Sequence, residues 1–323
     1  MGSPSPLAAV SNLRPDIAGM FEEFSLEMNT AKLISLEVFP VFEVGLQAGP
    51  FGKITLESLM KAVDTKRGSN GSYNESSFEF TTDSYSTKEH GIAVPVDQRN
   101  AKIYANYFDA ELVAARLARH SVMLNLEARV AALVYDTGVF TFTAITNEWD
   151  DHTNAVPIDD VEAAVLRLYA KGIIANALVL NWKQFRNLRH CAQIIDRITA
   201  SGAGTPAKPT DITKQMLATV FDLEKIIVGG SQYNSAKEGQ TASLAPVWGD
   251  EYAMVTRVAS GGIEDPGLGR TFHWGEDGSI IGGTMESYYW EEVRGDKVRC
   301  RMETHEKVIY AEAGELLSNV ITI

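Results

Sequence analysis

The chain has 323 residues, of which 45 % are hydrophobic and 22 % charged, the composition of a folded globular protein rather than a disordered one. Its formal net charge of −13 argues against a surface that grips nucleic acid by neutralising phosphates. Two cysteines, Cys191 and Cys300, exclude a disulfide framework and read as buried reduced thiols. No stretch approaches the ~20 apolar residues of a membrane helix. The opening Met1-Gly2-Ser3-Pro4-Ser5-Pro6 has neither the charged nor the apolar part of a signal peptide, and Pro6 stands where a myristoylation signal needs Ser or Thr. A cytosolic origin is expected. The glycosylation patterns at Asn70-Gly71-Ser72 and Asn74-Glu75-Ser76 are then accidental.

In chain order, the first fifty residues read as an arm. Pro4, Pro6 and Pro15 keep the start extended, and a short helix is expected over 16–28, with Ile17, Phe21 and Phe24 on one side. The apolar run Leu33-Ile34-Ser35-Leu36-Glu37-Val38-Phe39 ends at Pro40. It must be buried on something, either the chain's own core or a neighbouring subunit. Lys53-Ile54-Thr55-Leu56-Glu57 and Phe78-Glu79-Phe80-Thr81-Thr82 alternate at strand period around a polar, Gly-rich loop holding Lys66 and Arg67. This is a long hairpin with a polar tip. An isolated hairpin is marginal in water and needs another surface to lie on. Residues 88–97 read as a connection between the hairpin and a long helix.

Residues 107–135, which form that helix, contain no Gly or Pro. Phe108, Leu112, Ala115, Val122, Leu126, Val130 and Leu133 recur at helical spacing, so one continuous helix is expected. Asn106 is the expected cap, with Asp109 and Glu111 in the positive first turn, and Gly138 lies just past the end. Such a helix is about 43 Å long, against a radius of gyration of about 20 Å for a compact chain of this size. On its own it is most often the core helix of an ordinary enzyme.

Beyond it, a strand is expected over 139–143 and an acidic loop over 147–157. Then come a helix from Asp159 to Lys171, a buried strand at Ala177-Leu178-Val179-Leu180-Asn181 and a helix over 182–197. A Gly- and Pro-rich loop spans 199–210. A helix over 214–221 then leads to the strand Ile226-Ile227-Val228. Residues 232–241 read as polar and exposed, 253–258 as a strand, and 287–293 with 297–311 as a hairpin turning at Arg294-Gly295-Asp296. Residues 314–320 close the chain.

Motifs that would carry chemistry are incomplete. Gly45, Gly49, Gly52 and Lys53 imitate a phosphate loop, but Gln47 and Ile54 occupy positions that need Gly and Ser or Thr. Gly267-Leu268-Gly269 begins a dinucleotide fingerprint without its third Gly. Thr304-His305-Glu306 begins a zinc-protease motif, with Ile309 in place of the second His. Glu148, Asp150 and Asp151 read as a solvated acidic loop rather than a cation site. The six histidines lack ligand spacing. No catalytic, cofactor or metal residue is therefore assigned, although catalytic residues can be dispersed in sequence and an enzyme is not excluded on this ground.

The order of these elements resembles the tailed-phage major capsid protein of the Hong Kong 97 type. The resemblance is carried by Gly49-Pro50-Phe51-Gly52-Lys53-Ile54, Thr65-Lys66-Arg67-Gly68-Ser69, Tyr85-Ser86-Thr87-Lys88-Glu89-His90-Gly91 and Asp97-Gln98-Arg99. It continues through Tyr107-Phe108-Asp109-Ala110-Glu111, Arg129-Val130-Ala131-Ala132-Leu133-Val134, Leu178-Val179-Leu180-Asn181, Trp248-Gly249-Asp250-Glu251-Tyr252 and the last hairpin. It spans nearly the whole chain, and no single motif is diagnostic.

The resemblance implies an α+β shell subunit. Residues 1–52 would be an N-terminal arm across a neighbour, and 53–100 an extended hairpin loop reaching over the adjacent subunit. Residues 101–157 with 285–323 would form a peripheral domain carrying the spine helix, and 158–284 an axial domain. Pentamers and hexamers of the chain would close into an icosahedral shell around double-stranded DNA, held without sequence-specific binding, with scaffolding, portal and decoration proteins as further partner candidates and no membrane. The virion would be its location and the host cytoplasm its place of synthesis. Lys66 and Arg67 are the candidate inter-subunit contact. No room is left for the scaffolding segment some members carry before the arm, so a separate or already removed scaffold is expected. Lys61, Lys66 and Asn319 match no crosslinking pattern, and none is assigned. A cellular nanocompartment shell of the same fold, or a soluble α/β enzyme, is the alternative reading.

Overall fold

The structure is a computed structural model that describes residues 33–55, 58, 60–69, 71–75, 77, 80–104, 109–200, 208–260, 265–292 and 294–322. The helix expected over 16–28 lies outside them.

One helix is far longer than the other described helices. After the four-residue α1 (Ser35–Val38) and the short α2 (Gln98–Tyr104), helix α3 runs Ala110–Val134, 25 residues, or about 37 Å. Its cap is Asp109, whose carboxylate accepts from the amides of Glu111 and Leu112, rather than the expected Asn106, which lies outside the described residues. The buried stripe is Ala114, Ala118, Val122, Leu126, Glu127, Val130, Ala131 and Val134. Leu112, expected on that stripe, is 47 % exposed. The contact face is made of small residues at its start, which let the sheet approach closely, and it contains a charged residue that hydrophobic periodicity does not register.

Two sheets frame this helix. The first contains β1 (Val41–Val44), β11 (Gly269–Trp274), β13 (Gly295–Val308) and β12 (Thr284–Trp290), in the order β1-β11-β13-β12, with β4 (Lys88–Asp97) also paired to β13. Residues 88–97 are therefore a strand and not a mere connection. Their register with β13 runs unbroken from Gly295↔Asp97 to Thr304↔Lys88. Pro95 lies within β4, which an edge strand tolerates because one side of its backbone needs no sheet partner. Strand β11 has no counterpart among the expected elements, and it absorbs the false dinucleotide fingerprint at Gly269.

The second sheet has the order β5-β14-β10-β6-β7, formed by Phe142–Ala144, Gly314–Ser318, Ala253–Thr256, Ala177–Asn181 and Lys225–Gly229. Both faces of β14, β10, β6 and β7 are covered, so these strands read as largely apolar runs, whereas the edge strand β5 is exposed. Leu178 and Leu180 face a core roofed by helices α4 (Pro157–Ala170), α5 (Trp182–Leu188), α6 (Ala192–Ile198) and α7 (Lys214–Val220). Ala177 and Val179 face the core shared with α3 and the first sheet. The single helix expected over 182–197 is two helices. The chain leaves the first at Arg189, and Cys191 caps the second while the amide of Ala192 donates to the His152 carbonyl at 2.8 Å. The stretch 232–241, expected to be polar and exposed, is largely exposed and begins with β8 (Gln232–Asn234), which pairs with β9 (Leu244–Pro246) just beyond it as a small separate hairpin.

The sheets interleave the domain boundaries drawn from the resemblance. Strand β11, from the axial stretch, pairs with β13, whereas β5 and β14, from the peripheral stretch, share the sheet of β6, β7 and β10. Part of the expected arm is also core. Helix α1 and the residues beside it bury Ile34, Val38 and Phe39 in the chain's own interior.

Candidate functional site

A hairpin is present, but its strands are β2 (Ala48–Ile54) and β3 (Phe80–Ser86), paired antiparallel in register from Ala48↔Ser86 to Ile54↔Phe80, so they overlap the expected 53–57 and 78–82 only at 53–54 and 80–82. Two strands alone are marginal, so where this pair is seated matters most. The seat is one face of β13. Alternate residues of a strand share a face, and the even positions Val298, Cys300 and Met302 are buried on the helix side. There Arg129 of α3 makes a two-pronged ion pair with Glu306, at 2.8 and 3.0 Å.

The odd positions grip the hairpin. Glu303 accepts from Gln47 Nε2 at 3.0 Å and from Thr87 Oγ1 at 2.9 Å. His305 Nδ1 accepts from the Ser86 amide at 3.2 Å. Lys307 pairs with Asp83 and donates to the Ser84 carbonyl at 2.7 Å. Lys53 donates to the Ile309 carbonyl and lies over the Tyr310 ring at 4.4 Å. Thr87 and Gln47, the two points where the chain enters and leaves, are tied by an amide-to-carbonyl bond of 2.9 Å.

The apolar part of the seat is Phe272 of β11. Tyr85 stacks on it with centroids 4.9 Å apart and planes at 12°, and Phe51 lies tilted at 5.5 Å. Offset aromatic contacts of this kind add about 0.5–1.5 kcal/mol each beyond area burial. Electrostatics sharpen the polar part. Burial would raise the Asp83 carboxyl, but hydrogen bonds from Lys307 and the Ser84 amide, with the Lys307 and Lys53 charges, hold it below its usual range. Burial pushes His305 down, with Lys307 and Lys88 adding to that and Glu306 and Asp83 opposing it, so the imidazole is neutral at pH 7 and its Nδ1 is free to accept.

The far end of the hairpin is solvent-facing. Residues 60–69 and 71–75 are exposed. Arg67 donates to the Gly71 carbonyl at 2.7 Å and its guanidinium lies over the Tyr73 ring at 4.6 Å. The Lys66 amide donates to Asp64 at 2.9 Å, which leaves the Lys66 side chain at the surface. The two candidate contact residues thus share the loop tip and touch only that loop among the described residues.

A second buried polar centre sits inside the core. Glu127, on α3, accepts from the amides of Ile34 at 2.9 Å and Ser35 at 2.8 Å and from the Trp248 indole at 2.6 Å. Gly229 makes room for that indole, since a Cβ there would lie 2.4 Å from the Trp248 ring.

Other candidates bring no chemistry together. Among the described residues no group of three or more His, Cys, Asp or Glu could hold a metal ion. Asp151 is spent on a turn with Thr153 and Asn154, and Glu148 and Asp150 hold Thr322. An open groove by the β12–β13 turn, lined by Asp97, Arg99, Lys102, Ile103, Glu292 and Arg294, mixes both signs of charge. Sequence reasoning singles out none of Glu127, Glu303, His305 and Lys307 as a site residue. The available signal for the last three is their i, i+2, i+4 spacing on a recognisable strand, and for Glu127 its place one residue from Leu126 on an apolar stripe.

No family model matches the chain. A curated relative, the major capsid protein of Pseudomonas phage JBD67, is 24 % identical over 306 residues, covering 92 % of this chain and 94 % of that protein. Among solved structures, a phage-related protein from Bordetella bronchiseptica RB50 superposes with a TM-score of 0.63 at 19 % identity, covering 95 % of this chain and 97 % of that one. The capsid of cyanophage P-SCSP1u gives 0.59 at 10 % identity, over 89 % and 88 %. The SrpI encapsulin of Synechococcus elongatus PCC 7942 gives 0.51 at 12 % identity, over 90 % and 89 %. The chain has an α+β fold of the Hong Kong 97 type.

Proposed function

We propose that this chain is a structural protein, the major capsid subunit that self-assembles into the icosahedral shell of a tailed bacteriophage around its double-stranded DNA. The observation that carries the reading is likeness along the full length to a protein named as a major capsid protein, over 92 % of this chain. The geometry supports it. The hairpin is fixed at its root and reaches out with an exposed tip, as expected of an element that completes its burial on another copy. The net charge of −13 suits a wall that encloses DNA without binding it tightly.

On this reading residues 1–52 are the arm, 53–100 the extended loop, 101–157 with 285–323 the peripheral domain with α3 as its spine, and 158–284 the axial domain. Lys66 and Arg67 meet a neighbouring subunit. Pentamers and hexamers form the shell, scaffolding, portal and decoration proteins are its partner classes, and synthesis takes place in the host cytoplasm. The role is structural and not enzymatic.

The likeness to the encapsulin favours one second reading, a cellular nanocompartment shell. Electron microscopy of the purified protein across salt and concentration tests both. Closed icosahedral particles, or rings of five and six that close into them, are expected, and nucleic acid rather than a protein cargo inside particles from the native source selects the phage. A monodisperse 35.3 kDa species at every condition, with scaffold supplied, overturns the shell reading.

A further inference from the structure

The hairpin seat combines an acceptor that exists only in one protonation state with contacts that do not change over the same pH range. We propose that His305 is a pH-gated pin at the hairpin root. Neutral, it accepts the Ser86 amide and holds the hairpin on β13; protonated, it presents a second donor to that amide and releases the root. The inference rests on contacts within the chain and stands whether or not the chain builds a shell.

The geometry separates this residue from its neighbours. His305 Nδ1 meets the Ser86 amide at 3.2 Å, on the last residue of β3. The next residue, Thr87, is the crossing point, tied to Gln47 and Glu303. An N–H donor pointing at a protonated Nδ1 has no lone pair to bond. The charged groups facing His305 are Glu306 and Lys307 on its own strand, Lys88 on β4 and Asp83 on β3, two of each sign. Their contributions oppose one another, so burial decides the direction, and the neutral form is favoured until the pH falls below the ordinary histidine value of 6.5. The Asp83–Lys307 pair holds throughout that window, because Asp83 stays ionised below the usual 3.8. Tyr85 stacks on Phe272 with ring centroids 4.9 Å apart, a contact made by ring faces rather than by charge.

His90, on β4 opposite Met302, also has a depressed value, through burial and then the Arg129 charge. It serves as the control.

The test is amide hydrogen exchange of the full-length, unassembled protein, read at residues 84–87 and normalised to the intrinsic rate at each pH. Protection in the wild type is expected to fall about fivefold between pH 8 and pH 5, the worth of one hydrogen bond. His305→Gln, which keeps an acceptor and cannot be charged, should remove the pH dependence. His305→Lys, charged throughout, should show low protection at both values. His90→Gln should behave as the wild type. An unchanged wild type, a His305→Gln variant that still loses protection on acidification, or loss of the transition in His90→Gln would each overturn the proposal.

Discussion

The indole of Trp248 donates to Glu127 at 2.6 Å across 121 residues of sequence, inside a core that excludes water from both side chains. The same carboxylate takes the amides of Ile34 and Ser35. A helix of four residues such as Ser35–Val38 does not persist on propensity, since nucleation is unfavourable. Glu127 supplies what its first amides lack. Removing that acceptor leaves two backbone N–H groups and an indole N–H buried without partners, at about 1–3 kcal/mol for each. Glu127→Leu is therefore expected to cost at least about 3 kcal/mol, and Glu127→Gln, which keeps one oxygen, about 1–2 kcal/mol. Urea unfolding followed by tryptophan emission measures both. Equal stability of Glu127→Leu and wild type would show that the carboxylate does not hold α1 in place.

The neighbouring residue gives the apolar counterpart. Leu126 has no exposed surface, whereas Leu112, in the first turn of the same helix, is 47 % exposed. Leu126→Ala is expected to cost about 2–5 kcal/mol, and Leu126→Asp, which buries an unpaired charge, should prevent folding altogether. Leu112→Asp should change stability by less than about 0.5 kcal/mol. Circular dichroism melts separate the three, and a soluble, folded Leu126→Asp protein would mean that this face is not the core face.

These contrasts show which parts of the fold are legible in the sequence. Apolar positions repeat at a period set by the backbone, so α3, α4, the strand of Leu178 and the hairpin around Arg67 can be read locally. Strand β4 cannot, because Gly91 and Pro95 look like loop chemistry and only the pairing with β13 makes the segment a strand. Strand β11 carries no alternation because its residues are nearly all buried, among them Arg270, Thr271 and His273. The hairpin seat is invisible for a different reason. Glu303, His305 and Lys307 acquire partners from residues more than 200 positions away, a relation that no local pattern encodes.

The cysteines offer a chemical check on the core. Burial, then the charges of Asp150 and Asp151, pushes the Cys191 thiol up to about 12, and burial also raises Cys300. The thiolate is the reactive form. At pH 8 neither residue should be alkylated in the native protein, and both should react once urea unfolds it. Mass spectrometry after timed alkylation reads this. Fast native labelling of Cys191 would mean that the helix-roofed core opens readily.

Arg129 and Glu306 set a pH dependence of known sign. Burial alone would raise Glu306, but the hydrogen bonds and charge of Arg129 outweigh it and hold the carboxyl below 4.5. A depressed folded value contributes stability that is present above the unfolded value near 4.5 and is lost as the pH falls through the folded one. Without Arg129, burial dominates and the sign reverses. Arg129→Met should therefore lose about 3–5 kcal/mol at pH 7, and should recover part of it on acidification to pH 5, where the wild type gains nothing from this group. Denaturation at the two values measures the difference, and parallel pH profiles would show that the pair does not control Glu306.

Arg67 lies at the opposite extreme of burial, on a loop tip whose described contacts are Gly71 and Tyr73. Reversing its charge removes a local hydrogen bond and a cation–π contact at the surface, worth about 0.5–1 kcal/mol, in a region that the core does not depend on. The melting curve of Arg67→Glu should lie within about 4 °C of that of the wild type. Assembly is another matter, because a tip that meets a second copy brings its charge against a surface selected for the opposite sign, and like charges across an interface cost several kcal/mol. Arg67→Glu should therefore fold normally and assemble poorly, with Lys66→Glu showing the same split. Sedimentation of assembled against free protein, with circular dichroism on the same samples, measures both halves. Wild-type particle yield from the two variants would remove the tip from the contact and leave the hairpin's reach without a chemical partner at its end.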